Sequence, residues 1–356
     1  MIDSFRLFLI IFLSATVSYG LYPPVIKFFT SHKWLENPRL KQKKSGNATA
    51  TTIVPRGGGL PIFISILITS LIFLPLDKHL LGILLAAALA LIVGLVDDVK
   101  DISPKFRLFT NFLSALIVVV SGIGIAYVSN PFGGIIDLSQ PQIHFNFFGP
   151  HSIWLLADIV AIFWIMWCMN FVGWSAGVEG QLPGFVAISA FFIGILALRY
   201  STDATQWPVI ILAFIVSGAY LGFLPWNFYP QKIMPGYSGK SLAGFMLAVL
   251  SILSGAKLAT LIFLLAVPML DAIFVIAYRF WHKRPPLMSD GNHLHHHLLK
   301  KGWGRRRISL FYWFLSFSLG ILSLFLNSQQ KFYTFLGIAI LFFSLTPRFF
   351  RRNLSK

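Results

Sequence analysis

The sequence has few acidic residues and almost no cysteine. Its 356 residues include 12 Asp and Glu and a single cysteine, Cys168. One cysteine cannot form a disulfide within the chain, so a disulfide scaffold is excluded, and Cys168 is interpreted as a small buried apolar residue. Only 12% of the residues are charged and 56% are hydrophobic, with a mean hydropathy of +0.75. This composition excludes a soluble or disordered chain and predicts an integral membrane protein.

Positive charge exceeds negative charge, with 29 Lys and Arg and a formal net charge of +17. Such an excess is also found in nucleic-acid-binding proteins. Here, however, the positive residues lie between long apolar runs, where they would meet anionic lipid headgroups and set the topology. We therefore predict anionic membrane lipids as partners and no nucleic acid. The first apolar run lacks a basic leader and a small-residue cleavage site, which predicts a retained span.

Eleven apolar runs approach the roughly 20 residues that a membrane-crossing helix needs. With the N-terminus outside, 24 of the 29 positive side chains fall on the cytoplasmic side and five outside, as the positive-inside rule requires. We predict an all-α polytopic helical bundle, a single transmembrane domain over residues 1–356, in the plasma (inner) membrane with a cytoplasmic C-terminus. The runs lie near residues 5–29, 58–77, 79–96, 107–129, 153–172, 183–199, 207–226, 240–255, 257–280, 307–326 and 331–347.

Polar residues collect in the predicted cytoplasmic segments. A secondary transporter would place ionisable groups near mid-span, whereas an enzyme acting on a lipid headgroup needs them at the membrane face. The acids inside predicted spans are Asp158, near an outer helix end, and Asp271, in the cytoplasmic half of its helix, so an enzyme is favoured over a transporter. The site is predicted to form from segments 30–57, 97–107, 173–182, 227–240 and 281–307.

Asp97 and Asp98 end the third predicted span. Adjacent carboxylates repel each other unless a cation lies between them, so the pair suits a hard divalent ion, usually Mg2+, shared with a substrate phosphate. The alternative is a solvated helix end with Lys100, Lys105 and Arg107 as counter-charges.

Two glycine-rich segments are candidates for phosphate binding. The run from Arg56 to Gly59 places a guanidinium beside backbone amides that a phosphate can approach closely. The segment 234–241, with Lys240, resembles an anion nest at a helix start. Either segment is also compatible with a plain turn. A third glycine-rich turn lies between Asn170 and Glu179, where Glu179 is a candidate metal ligand or a hydrated acid.

The densest polar cluster lies near the C-terminus and is rich in histidine. It is compatible with zinc binding, with phosphate binding or with an exposed basic loop. Phosphate binding fits better than zinc, because no matching second group of ligands accompanies the cluster and three basic residues are close in sequence. The cluster comprises Asp290, His293, His295, His296 and His297, and its basic neighbours are Arg279, Lys283 and Arg284.

In this order, these segments resemble the polyprenyl-phosphate N-acetylhexosamine-1-phosphate transferase family, of the glycosyltransferase family 4 type. That family starts the synthesis of peptidoglycan lipid, lipopolysaccharide O-antigen and teichoic-acid linkages. The resemblance runs from about Asn37 to Gly302, and its eleven-helix branch fits the span count. The matching motifs are Asn37-Pro38-Arg39, the P-R-x-G-G segment at 55–59, the Asp97-Asp98 pair, Asn227, Asp271 in P-x-x-D and, most specifically, DGNHLHHHLLKKG at 290–302.

The sequence also departs from the family pattern at two acidic motifs. Where the family reads N-x-x-N-x-x-D-G-x-D-G, an ungapped alignment from Asn170 places Gly173, Ala176 and Glu179 at the later Asn, Asp and Asp positions. The family's G-D-x-G-S becomes Gly-Tyr-Ser-Gly-Lys at 236–240, so Tyr237 replaces a metal-binding carboxylate. Fewer anionic ligands should weaken divalent binding, and the Lys240 ammonium would partly replace the missing cation charge.

The resemblance implies transfer of a sugar-1-phosphate from a UDP-sugar to a polyprenyl phosphate. It implies that Asp97 assists the lipid phosphate and that Asp98 and Glu179 hold Mg2+ or Mn2+. The alternative is a degenerate relative that binds polyprenyl phosphate or a partner without turnover, and a homodimer is an open alternative for the assembly. The implied substrate-binding residues are Arg56, Gly58, Gly59, Asn170, Glu179, Asn227, Ser238, Lys240, Asp290, His293, His295, His296 and His297.

Overall fold

A computed structural model describes residues 4–39, 52–146, 150–254, 258–285 and 291–351 of the chain. Asp290 lies outside these ranges. Helices dominate the described residues, so the predicted all-α membrane architecture is confirmed at this level. In chain order the helices are α1 Ser4–Ser31, α2 Gly59–Phe73, α3 Lys78–Lys100, α4 Pro104–Val120, α5 Leu155–Trp174, α6 Gln181–Leu198, α7 Trp207–Asn227, α8 Gly236–Leu253, α9 Leu258–Leu264, α10 Ala266–Trp281, α11 Leu294–Lys300, α12 Arg305–Phe325 and α13 Ser328–Arg351.

Each of the eleven predicted apolar runs contains a helix in the described part of the chain. Among these residues, seven helices are long and apolar enough to cross a membrane, and an eighth span results if α9 and α10 count as one. That pair is bent by 82° at its break, while α2 has only 15 residues. The eleven crossings and the orientation of the termini therefore stay predictions.

Helices α6, α7 and α8 form the centre of the bundle. About four fifths of the residues in an 18-residue apolar stretch of each of these helices are buried, compared with 22% for α1. A helix that is apolar on all sides and central buries all its faces, whereas a peripheral one turns an apolar face to lipid. Exposed side chains such as Phe8, Phe163 and Phe314 lie on outer helices. Cys168 is buried, as predicted.

Close contact between α1 and α7 depends on two glycines one turn apart. A Cβ atom on Gly218 would lie 2.5 Å from the Ile11 carbonyl oxygen, and one on Gly222 would lie 2.3 Å from that of Ala15. Small residues at this spacing let helix backbones approach each other in a membrane bundle. The N-terminal helix is thereby packed against the central helices.

Within the described residues, three short antiparallel strand pairs interrupt the helices, and the sequence analysis did not predict them. Two of them form the connection between α4 and α5. Strands of two to five residues leave too little periodicity to detect. The pairs are β1 Leu35–Glu36 with β2 Val54–Pro55, β3 Tyr127–Ser129 with β4 Ile135–Asp137, and β5 Gln142–Asn146 with β6 Pro150–Trp154.

Candidate functional site

The candidate site forms where the end of α3 meets the beginnings of α2 and α8. Glycines permit this approach. A Cβ atom on Gly94 of α3 would lie 2.4 Å from the Ser238 Cα atom, and one on Gly59 would lie 2.6 Å from the Gly239 nitrogen. The Gly58 amide donates to the Met234 carbonyl at 3.0 Å. Gly58 and Gly59 thus serve close packing of α2 on α8, and the Gly58 amide already has a protein acceptor.

The Asp98 carboxylate lies against the first turn of α8. Its Oδ1 atom accepts from the Tyr237 amide at 2.5 Å, and its Oδ2 atom accepts from the Ser238 hydroxyl at 2.6 Å. Amides at a helix N-terminus favour an anion at this position. Gly236, at φ +65°, makes room, because a Cβ atom there would lie 2.2 Å from Oδ2. The segment that was predicted to receive a phosphate therefore receives a carboxylate of the protein.

Arg56 lies among three carboxylates. Its Nε atom is 3.2 Å from Glu36 Oε2 and 4.0 Å from Asp98 Oδ1, and its Nη1 atom is 3.0 Å from Asp101 Oδ1. Pairing of β1 with β2 brings Glu36 beside Arg56. Burial alone would lower the pKa of Arg56, but the neighbouring carboxylates raise it, so the guanidinium is a permanent cation. Sequence analysis missed Glu36, because a two-residue strand carries no pattern.

Asp97 forms an ion pair with Arg107 of α4. Helix α3 ends at Lys100, and the left-handed φ of 49° at its C-cap, Asp101, turns the chain so that α4 returns beside α3. Arg107 Nε then donates to Asp97 Oδ1 at 2.6 Å, and the Ile102 amide donates to the same oxygen at 3.1 Å. Asp97 is 1% exposed, and its Oδ2 atom has no hydrogen-bond partner among the described residues. The predicted counter-charge is thus in place.

Tyr237 occupies the position where the family pattern has an acid. Its hydroxyl donates to Asn111 Oδ1 at 3.1 Å, and the Arg107 guanidinium lies 5.0 Å from the ring centroid. Lys240 lies one turn further along α8, and a Cβ atom on Gly173 of α5 would be 3.6 Å from the Lys240 Cβ atom. The side chain of Asn170 donates to its own helix, at Met166, over 2.7 Å.

Glu179 lies in the buried turn between α5 and α6. Its carboxylate is 3.2 Å from Arg305 Nε at the start of α12. Burial raises the pKa of Glu179, and the Arg305 charge opposes this. The next amide, of Gly180, donates to Asn227 Oδ1 at 3.0 Å, and the Asn227 amide group donates to Gln231. A pocket beside this turn is lined by Ala176, Gly177, Val178, Glu179, Leu182, Asn227, Gln231, Met234 and Pro235.

The histidine cluster caps and forms the short helix α11. Asp271 of α10 binds His293 Nδ1 at 2.8 Å and accepts from the Leu294 amide at 2.8 Å. His295 packs so closely on Gly177 that a Cβ atom there would lie 2.0 Å from the ring, and His295 Nδ1 has no partner within the described ranges. Burial and neighbouring cations lower the pKa of His295, and they lower the pKa of His296 to about 4. These imidazoles are neutral near pH 7.

The structure brings most of the predicted residues into one connected region. Ser238 joins the carboxylate pair to α8, Lys240 joins α8 to the end of α5, and His295 joins that end to α11. Glu179 and Asn227 lie at the edge of the region. Sequence analysis did not identify Glu36, Asn111 and Arg305 as site residues, because their partners lie in distant segments of the chain.

The described residues do not fit a divalent ion held by several side chains. No group of three or more His, Cys, Asp or Glu within the described ranges is arranged to hold a metal ion. Both Asp98 oxygens bind α8, one Asp97 oxygen binds Arg107, and Glu179 faces Arg305. Hard cations take oxygen ligands, and Mg2+ is usually held by one or two carboxylates, with waters and substrate phosphates as its other ligands. Of the Asp97–Asp98 pair, Asp97 Oδ2 is the oxygen that makes no hydrogen bond to the described part of the chain.

A helical membrane bundle with buried carboxylates and neutral imidazoles gathered at its helix ends has the construction of a membrane-embedded enzyme for phosphate-bearing substrates. Comparison with known proteins narrows this class. The sequence matches the profile of glycosyl transferase family 4 over residues 80–255. This match and the named relatives confirm the predicted resemblance to the family.

Named relatives are similar over most of the chain. A probable undecaprenyl-phosphate N-acetylglucosaminyl 1-phosphate transferase of Bacillus subtilis is 27% identical over 285 residues, covering 78% of this chain and 74% of the relative. A decaprenyl-phosphate N-acetylglucosaminephosphotransferase of Mycolicibacterium smegmatis is 28% identical, covering 72% and 68%. A phospho-N-acetylmuramoyl-pentapeptide-transferase of Staphylococcus epidermidis is 28% identical, covering 82% and 88%.

Proposed function

We propose that this enzyme transfers a sugar-1-phosphate, of the N-acetylhexosamine class, from a UDP-sugar to a polyprenyl phosphate in cell-envelope glycan synthesis. Its family and the names of its relatives make it a phospho-sugar transferase. The observation that carries the proposal is the buried Asp97–Asp98 pair at the end of α3, where Asp98 contacts the start of α8. Within the described ranges, this pair has one carboxylate oxygen, Asp97 Oδ2, without a hydrogen bond.

In the proposed reaction, an oxygen of the lipid phosphate attacks the β-phosphorus of the UDP-sugar. A new P–O bond forms, the bond to the bridging oxygen breaks, and UMP leaves with the electron pair. Asp97 Oδ2 accepts a proton or hydrogen bond from the lipid phosphate, while Asp98 fixes α8 against α3. Catalysis in such transfers consists mainly of positioning and charge neutralisation.

The remaining residues of the region would position the two substrates. Lys240 would contact phosphate oxygens as a cation, and His295 and His296, being neutral, would contact them as hydrogen-bond donors. We place Glu179, Asn227 and the pocket beside them at the nucleotide-sugar end. His297 and Asp290 keep the phosphate-binding roles that the motif implies.

The orientation and location are part of the same proposal. The distribution of positive residues over eleven predicted crossings supports a site on the cytoplasmic face of the inner membrane, where a soluble nucleotide sugar arrives. Anionic lipids are proposed to contact the exposed Arg306 and Arg307 at the start of α12, where Arg307 lies 4.2 Å from the Trp303 ring centroid. Size-exclusion chromatography in detergent would test whether the protein forms a homodimer.

Release of UMP tests the function directly. Purified protein in detergent receives undecaprenyl phosphate and either UDP-N-acetylglucosamine or UDP-N-acetylmuramoyl-pentapeptide, the donors suggested by the two groups of relatives. We expect lipid-dependent UMP release that disappears in Asp97→Asn. The matched control is Asp77→Asn at the opposite end of α3, which keeps an N-cap acceptor for the Leu80 amide. Absence of release with every donor, while the folded protein still binds the lipid, would instead support a binding-only relative.

A further inference from the structure

Two guanidinium groups of the protein lie beside the carboxylate pair. Arg107 contacts Asp97 at 2.6 Å, and Arg56 lies within 4.0 Å of Asp98 while also contacting Glu36 and Asp101. Two adjacent carboxylates need a cation nearby to remain ionised together. The two guanidinium groups place permanent positive charge beside the pair, although Arg56 shares its charge with Glu36 and Asp101.

The first turn of α8 offers a cation where the family pattern has an acid. Tyr237 contributes a neutral phenol, and its hydroxyl and ring are engaged by Asn111 and Arg107. Lys240 follows one turn later, half-buried between α5 and α8 and close enough to His295 to lower its pKa. The imidazoles of His295 and His296 are neutral, and Lys240 adds a positive charge beside them.

We propose that Arg56, Arg107 and Lys240 take the place of a divalent cation, so that the UDP-sugar binds and reacts in this site without added metal. The proposal rests on the proposed function for the identity of the substrate. It goes beyond that function because it assigns the neutralising charge to three side chains of this chain.

The physical basis is the balance of charge on the two phosphates of the donor. An ammonium fixed near a diphosphate stabilises the same developing charge as a metal ion, and it does so without a metal-loading equilibrium. A divalent ion placed between the carboxylates would instead lie close to Arg56 and Arg107 and be repelled by both. Charges about 4 Å apart interact strongly when solvent is partly excluded.

Metal binding is measured first, because it does not depend on turnover. EDTA-treated protein in detergent is titrated with Mn2+ and the bound ion is followed by electron paramagnetic resonance. We expect no stoichiometric binding below about 1 mM, the weak end of protein sites for hard cations. One equivalent of bound Mn2+ that is lost in Asp98→Asn would overturn the proposal.

Substrate affinity supplies the second readout. Isothermal titration with UDP-N-acetylglucosamine in EDTA and in Mg2+ is expected to give dissociation constants within about twofold of each other. A loss of about tenfold or more in EDTA would contradict the proposal.

Variants at Lys240 test whether this side chain supplies positive charge for binding the UDP-sugar. In EDTA, Lys240→Met should weaken UDP-N-acetylglucosamine binding by about tenfold, whereas Lys240→Arg should retain it. Lys78→Met, at the far end of α3, controls for loss of positive charge, and thermal unfolding compares the folding of all three variants. Unchanged affinity in Lys240→Met would refute its role.

Turnover separates this proposal from the proposed function. UMP release in EDTA at a rate similar to that in Mg2+ supports both. Release that requires Mg2+ refutes the metal-free site and leaves the transferase function intact. If no condition gives release, the function fails, and the Mn2+ titration alone decides whether the site holds a metal ion.

Discussion

The Ser238 hydroxyl donates to Asp98 Oδ2 over 2.6 Å, and this bond joins the beginning of α8 to the end of α3. Both residues are almost fully buried. A hydrogen bond to a buried charge contributes more than one between neutral groups. The contact therefore fixes the relative position of the two helices that carry the candidate site.

Ser238→Ala should lower thermal stability, because it removes a hydrogen-bond donor from a buried carboxylate. The expected cost is about 1.5–3 kcal/mol. Differential scanning fluorimetry in detergent measures the change. Ser344→Ala serves as the control, since the Ser344 hydroxyl is exposed and bonds to its own helix at Leu341. Equal melting temperatures for the two variants would contradict the assigned role of Ser238.

Gly236→Ala should impair both stability and UMP release. The residue has a left-handed φ of +65°, and the added Cβ atom would lie 2.2 Å from Asp98 Oδ2. The backbone strain alone costs about 1–2 kcal/mol, and the carboxylate must also move. Gly337→Ala is the matched control, because a Cβ atom added there would have none of the described atoms within 4 Å. Activity of Gly236→Ala at the wild-type level would show that Asp98 tolerates displacement.

Arg107→Met should leave Asp97 without its cation in a buried position. Removing one partner of a buried pair costs about 3–5 kcal/mol, and less is expected here because the Arg107 side chain is 30% exposed. The double variant Asp97→Asn with Arg107→Met should recover much of this stability while remaining inactive. A double-mutant cycle of unfolding free energies measures the coupling. Additive effects of the two changes would refute the pairing.

Acidification from pH 7 to pH 5 should destabilise the protein through the histidine cluster. The pKa of His296 is lowered from 6.5 to about 4, chiefly by burial. The folded state therefore binds this proton less well than the unfolded state, and the stability present above pH 6.5 falls as the pH drops toward 4. Melting temperatures across this range should fall less steeply in His296→Gln. Parallel curves for wild type and variant would exclude His296 as the group responsible.

The helices could be predicted from sequence because hydropathy and length are local properties. Each apolar run contains a helix, including the run that breaks between α9 and α10. The bend of 82° could not be predicted, since it depends on what the two halves pack against. The histidine motif and the Asp97–Asp98 pair were also visible, because each is contiguous in sequence.

The partners of these residues were harder to predict. The sequence placed Arg107 as a counter-charge of a solvated helix end, whereas the structure buries the Asp97 carboxylate that it contacts. Ser238 was expected to bind phosphate, but in this structure the nearer acceptor is Asp98. The partner of each side chain depends on which groups the folded chain brings to the same helix end. These distances between remote segments cannot be read from a single sequence.

The packing of α1 has a practical consequence for protein engineering. The Tyr22 hydroxyl donates to the Gly58 carbonyl at 2.8 Å, and Gly218 and Gly222 hold the same helix against α7. The N-terminal helix thus helps to fix the position of the segment that carries Arg56. A truncation that removes α1, even one that substitutes another membrane anchor, would remove these contacts and is expected to shift Arg56 relative to the Asp97–Asp98 pair.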